Sequence, residues 1–165
     1  MSLRHRYNSQ YSEVVVIQQA GDHQGYFKNK MKTFGFYAIN GNSTVNFQDH
    51  LRKENVTYFI SAMRNKNPEK PIIIILDNFR SHHSRFVLKT AELLNTKLLF
   101  LPPYSPDLNP IEFIWKSVKW VVSIASINSE EKLKDTIKKN FLELSGRLTF
   151  AKRWAKKFLN RSIMV

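Results

Sequence analysis

Two short apolar runs organise the middle of the chain, Ile72-Ile73-Ile74-Ile75-Leu76 and Lys97-Leu98-Leu99-Phe100-Leu101. The first, opened by Pro71, is apolar on both faces, the pattern of a strand buried inside a mixed or parallel sheet. The second predicts another buried strand. Between them Phe86, Val87, Leu88, Ala91 and Leu94 predict a helix over 84–95. Strand, helix, strand implies a crossover and two parallel strands. Their carboxyl ends then share one edge of the sheet, where ligands of open α/β sheets bind.

The flanking segments extend this α/β pattern. Residues 14–19 read as a short strand of undefined register, and 33–39 and 43–47 are β-prone runs on either side of Asn40-Gly41. Asn-Gly between such runs signals a hairpin, because both residues tolerate positive φ. Leu51, Val56, Phe59, Ile60 and Met63 are spaced for a helix over 48–64. Beyond the second apolar run lies a stiff loop with Pro102, Pro103 and Pro106. Asn109 as N-cap and Pro110 in the first helical position then open a helix whose buried face is Ile111, Ile114, Trp115, Val118 and Val122. Trp115 and Trp120 both read as core. A further helix over 129–144 carries Leu133, Ile137, Phe141 and Leu144 on one face, with Asn128 and Glu131 as its cap. A last helix over 150–160 places Phe150, Trp154 and Phe158 on one side among lysines and arginines.

Composition narrows the function. The 165 residues suit one domain and are 42% hydrophobic, which excludes global disorder. No run approaches the roughly 20 apolar residues of a membrane span, and the N-terminus has no apolar signal core. The chain has no cysteine, which excludes disulfides and thiolate zinc sites and fits an intracellular protein. Its net charge of +13 points to a polyanionic partner. Residues 1–70 carry 10 basic and 5 acidic side chains and 116–165 carry 12 and 4, whereas 71–115 carry 4 of each. A neutral centre between basic flanks suits an acidic reaction site set in a nucleic-acid-binding surface; general solubility is the plainer reading of the same charge.

The candidate chemistry lies in that centre. Asp77 follows the isoleucine run at its carboxyl end, and Glu112 falls in the first turn of the helix after the next parallel strand. Two carboxylates at one sheet edge suit Mg²⁺ or Mn²⁺, hard cations that prefer oxygen ligands. Each also has a structural reading: Glu112 as the reciprocal half of a capping box, Asp77 as a cap for the turn after Leu76. Histidines placed as His82 and His83 are more often surface or helix-start residues than ligands, and alone they carry no weight.

The motifs Ile74-Ile75-Leu76-Asp77-Asn78, His82 and Phe100-Leu101-Pro102-Pro103-Tyr104-Ser105-Pro106-Asp107-Leu108-Asn109-Pro110-Ile111-Glu112, with Trp115 and Lys119 beyond, resemble one family. They are similar to the DDE transposases of prokaryotic insertion sequences, in the mariner superfamily, which share the retroviral-integrase or RNase H-like fold. Between Asp77 and Glu112 lie 34 residues, the spacing of that family's second and third acidic residues. The resemblance covers roughly residues 10–125, with 34–39 looking like the second strand. It implies an RNase H-like mixed sheet flanked by helices over 1–125, with C-terminal basic helices over 126–165 packed on the same domain. It also implies Asp77 and Glu112 as catalytic metal ligands for two Mg²⁺ or Mn²⁺ ions, and Asn78, His82 and Asn109 in support. Arg80, Lys116 and Lys119 become candidate DNA contacts. The expected partners are element ends and target DNA, with a homodimer or a partner transposase chain, in a prokaryotic cytoplasm at the nucleoid.

The N-terminal part departs from the family pattern. The first family carboxylate, usually an Asp-Glu pair on a central strand, has no match before residue 34. Glu13 and Asp22 are the acidic residues there, and Asp22 lies in Ala20-Gly21-Asp22-His23, which reads as a loop. The expectation is a truncated reading frame that lacks the first Asp and puts the first central strand in question. Residues 14–19 or a partner chain are the two sources left open for that strand. Two further readings stand beside an active transposase domain: an inactive remnant that binds DNA or full-length transposase, and another RNase H-like nuclease. The latter does not account for the Pro-Tyr-Ser-Pro-Asp-Leu-Asn-Pro run.

Overall fold

The computed structural model describes residues 14–20, 32–39, 41–48, 52–69, 71–78, 80–103, 105 and 108–147, with the backbone alone for 14–20, 80 and 81. In chain order the strands are β1 (Val14–Ala20), β2 (Lys32–Ala38), β3 (Thr44–Gln48), β4 (Ile72–Leu76) and β5 (Thr96–Phe100). The helices are α1 (Lys53–Lys66), α2 (Arg85–Leu93), α3 (Ile111–Ile124) and α4 (Glu130–Ser145), and a short 3-10 turn spans Arg80–His83. The five strands form one mixed sheet in the order β3-β2-β1-β4-β5. β1 runs antiparallel to β2 and parallel to β4, and β4 is parallel to β5. The strand in question from the sequence is therefore present, at the centre of the sheet, and this same chain supplies it.

Alternation along the strands divides the core into two layers. From β4, Ile72, Ile74 and Leu76 enter a cluster with Val56, Phe59, Ile60 and Met63 of α1 and Val87 of α2. Ile75 packs on the opposite side, against a cluster built from Ile111, Ile114, Trp115 and Val118 of α3 and Leu133, Ile137 and Phe141 of α4. β2 divides in the same way, with Phe34 and Phe36 toward α1 and Tyr37 toward α3. Gly35 lets α3 and α4 sit close to the sheet: a Cβ there would overlap Trp115 Cζ2 and lie 2.8 Å from Phe141 Cε2.

Several details differ from the sequence reading. The hairpin exists, but its pairing closes at Phe36 and Thr44, so the connection is longer than the two-residue turn expected at Asn40-Gly41, of which Asn40 lies outside the described residues. Ser43 Oγ accepts from Ala38 N within that connection (3.0 Å). α1 begins at Lys53, later than expected, and Gln48, assigned to the helix start, ends β3 instead. β5 is an edge strand, not a buried one, with Leu99 44% exposed. Trp120 is 64% exposed: five residues after Trp115 is about 140° around a helix, off the buried stripe. Ser129, not Asn128, caps α4, its Oγ accepting from Lys132 N (3.1 Å). The expected helix over 150–160 lies outside the described residues.

One polar staple joins the α1–α2 layer. Arg64 donates from Nε to Leu94 O (2.8 Å), from Nη1 to Asn67 O (3.0 Å) and from Nη2 to Asn95 O (2.7 Å). It thus satisfies carbonyls at the C-termini of both helices, where a cation also suits the helix dipoles. Asn95 adopts a positive φ of 49° in the same turn. Arg64→Ala is expected to destabilise the fold by about 2–3 kcal/mol, measured by urea unfolding, because it orphans several carbonyls together.

Candidate active site

Asp77 stands at the carboxyl end of β4, one residue beyond the run that alternates between the two layers. That parity puts it on the same sheet face as Ile75, the face covered by α3 and α4. The ladder continues past the strand ends, since Leu101 N donates to Leu76 O (2.7 Å), which holds the start of the Pro-rich loop beside Asp77. The Asp77 side chain remains 33% exposed and so open to a ligand.

His82 buttresses it. The 3-10 turn folds this ring back until it is 2% exposed, with Nδ1 3.0 Å from Asp77 Oδ1 and 3.4 Å from Asp77 O. With its proton on Nδ1, the imidazole donates to the carboxylate and fixes its orientation, as outer-sphere partners do for metal ligands. The surface or helix-start reading of His82 is thus corrected, and Asp77 contacts a buried ring rather than simply capping a turn. His83, to which the sequence assigned no role, approaches Asn78 Oδ1 through Nε2 and stacks on Phe100 with ring centroids 4.1 Å apart. Asn78 is thereby held from the opposite side of the turn.

Glu112 enters from α3. Pro110 already has helical dihedrals (φ −64°, ψ −22°), and Asn109, buried, accepts from Ile111 N through Oδ1 (3.4 Å) while its carbonyl accepts from Glu112 N (3.2 Å). α3 itself starts at Ile111 with Pro110 as its N-cap, so the expected Asn109 cap is displaced by one residue and Asn109 braces the turn before the helix, while half-buried Glu112 sits in the first turn. The neighbouring Ile111 and Ile114 belong to the cluster against which Ile75 packs, two residues before Asp77. α3 thus lies on the sheet face to which Ile75 belongs, with its main sheet contacts on β1 and β2. Lys116 and Lys119 follow Glu112 along one stripe of α3, both exposed. Lys116 also borders a groove with Trp120, Val121, Leu144 and Arg147. The backbone of Arg80 opens the 3-10 turn beside the site; its side chain lies outside the described part.

The donor chemistry suits a hard divalent cation, since Asp77 and Glu112 offer charged oxygens. Among the described residues, however, no group of three His, Cys, Asp or Glu side chains is placed to hold a metal.

A family model described as DDE superfamily endonuclease matches residues 3–134. No curated protein matches the chain. Among solved structures, the chain is similar to the Mos1 transposase catalytic domain determined with Raltegravir and Mn, at TM-score 0.67 and 20% identity, over 88% of this chain and 80% of that one. It is similar to the Mos1 strand transfer complex at TM-score 0.66 and 18% identity, over 93% and 56%. The catalytic core domain of BIV integrase gives TM-score 0.57 and 13% identity, over 76% and 81%. At such identities the structural likeness establishes the fold, whereas the family model spans every strand, α1 to α3 and both carboxylates. The chain belongs to the DDE superfamily endonuclease family and has the RNase H-like fold of transposase and integrase catalytic domains.

Proposed function

We propose that this chain is a transposase catalytic domain that cleaves DNA strands and joins them to a target, with Asp77 and Glu112 holding the divalent cations. The observation that carries this reading is the placement of Asp77: at the carboxyl end of a central parallel strand, on the face covered by α3, and braced by buried His82. Mg²⁺ or Mn²⁺, when bound, would activate water or a 3′-hydroxyl and offset charge at phosphorus. The protein's own contribution is to orient the two carboxylates through His82 and through Asn109 before α3, and to bind the phosphate backbone. In nicking, water attacks phosphorus, the P–O3′ bond breaks and a free 3′-hydroxyl remains. In joining, that hydroxyl attacks a target phosphodiester, one P–O bond replacing another. The Mos1 structures named above include forms with Mn and a strand transfer complex, which supports assigning this metal use and DNA partner here.

The finer assignments belong to the same proposal. Residues 1–125 form the catalytic domain and 126–165 are basic helices packed on it, which Leu133, Ile137 and Phe141 of α4 support by sharing the α3 core. The partners are element ends and target DNA, with two copies, or one copy and a full-length transposase, bringing the ends together. The setting is a prokaryotic cytoplasm; among the described residues no helix is long and apolar enough to cross a membrane.

Duplex DNA binding tests the basic surface. Affinity should fall steeply and log-linearly with salt, and replacing Lys116 and Lys119 together by Ala should make the slope shallower by about two. A salt-independent affinity would remove the electrostatic basis of the reading.

A further inference from the structure

The row of the sheet that contains Asp77 can be followed across three strands. β1 and β4 are parallel, with Val16 beside Ile75 and Ile17 beside Leu76. One more step of this register sets position 18 beside Asp77. On its other side, Gln18 pairs with Gly35 of β2. Gly35 is roofed by Trp115 of α3, three residues after Glu112. Gly35, Gln18 and Asp77 therefore occupy one row on the face that α3 covers. The position between roofed Gly35 and partly exposed Asp77, on the central strand, is a glutamine.

We propose that position 18 is the third corner of the cation site, and that a glutamine rather than an acidic residue at this position leaves the site one negative charge short. This rests on the reading of Asp77 and Glu112 as metal ligands. An amide oxygen suits a hard cation but carries no charge, and the affinity of oxygen sites follows the number of charged ligands. The chain should accordingly bind Mg²⁺ or Mn²⁺ weakly while keeping the fold and the DNA-binding surface. Glutamate at position 18 would complete the site, because it has the shape of glutamine and differs only in charge. Asp22, four residues further along the sequence, is the rival third donor.

The test is a titration of the full chain with Mn²⁺, followed by the loss of the free-ion paramagnetic resonance signal. Gln18→Glu should tighten Mn²⁺ binding by on the order of tenfold or more. The same variant should unfold at a lower temperature than the native chain in EDTA, where two carboxylates would adjoin, and at a higher one in millimolar Mn²⁺. Gln18→Asp, with its shorter reach, repeats the measurement if the longer carboxylate disturbs folding. Unchanged binding in both variants, with weakening in Asp22→Asn equal to that in Asp77→Asn, would overturn the proposal in favour of Asp22. Asp77→Asn and Glu112→Gln test the underlying reading separately. If both bind Mn²⁺ as the native chain does, the site itself is wrong; if both weaken while position 18 has no effect, only the third corner fails.

Discussion

Asp77→Asn is expected to lower Mn²⁺-dependent nicking of supercoiled plasmid by more than roughly a hundredfold while duplex DNA binding persists. The substitution preserves shape and leaves an oxygen that can still accept from His82 Nδ1. What it removes is the charge, so the loss reports on cation binding rather than on a collapsed turn. Asp77 is partly exposed, and the amide oxygen keeps an acceptor for buried His82, so the variant should unfold at nearly the native temperature. Gel separation of supercoiled and nicked plasmid at millimolar Mn²⁺ gives the readout. If neither protein nicks and both bind DNA, the chain acts as a DNA-binding remnant. Equal nicking by both would place the cation elsewhere.

Gly35→Ala should produce the largest loss of stability, about 3 kcal/mol, at the upper end of typical overpacking costs. The added methyl would overlap Trp115 Cζ2 and lie 2.8 and 2.9 Å from Phe141 Cε2 and Cζ. Neither ring can swing aside. Both are fully buried, and they pack on each other with centroids 4.7 Å apart. Relief would require α3 or α4 to lift from the sheet. Among the described residues Trp115 Nε1 has no hydrogen-bond partner, and the indole is held by packing against Phe141. Trp115→Phe should therefore recover part of the loss in the double variant, visible as non-additive unfolding free energies. Additive losses would mean that the clash is relieved elsewhere.

The sequence disclosed those parts of the fold in which local pattern and tertiary environment agree. The isoleucine run had to be a central strand, because only a strand covered on both faces accepts it, and Asp77 could be placed from its end. The stripe of α3 was equally legible, and its start was read to within one residue. β1 was not: Val-Val-Val-Ile-Gln-Gln-Ala carries no alternation, so neither its central position nor its register could be read, and the neighbour of Asp77 stayed hidden. His82 was obscured for a different reason. Its burial depends on a 3-10 turn that folds the chain back beneath Asp77, and Arg80-Ser81-His82-His83 has no local signal for that reversal. The misplaced cap of α4 arose because Asn128 and Ser129 are both good N-caps, one residue apart. Only the helix start decides between them.

Alternation along β4 gives the five residues from Ile72 to Leu76 a second significance. Their chemistry can drift among aliphatic types with modest repacking, but their number cannot change by one. Losing a single residue would turn the carboxylate of Asp77 through to the far side of the sheet, among Phe59, Ile60 and Met63. An ionised group there would face several kcal/mol of desolvation with no partner. Insertions and deletions in this strand should therefore be tolerated only in pairs, a constraint of parity that random single-codon changes in the gene would expose directly.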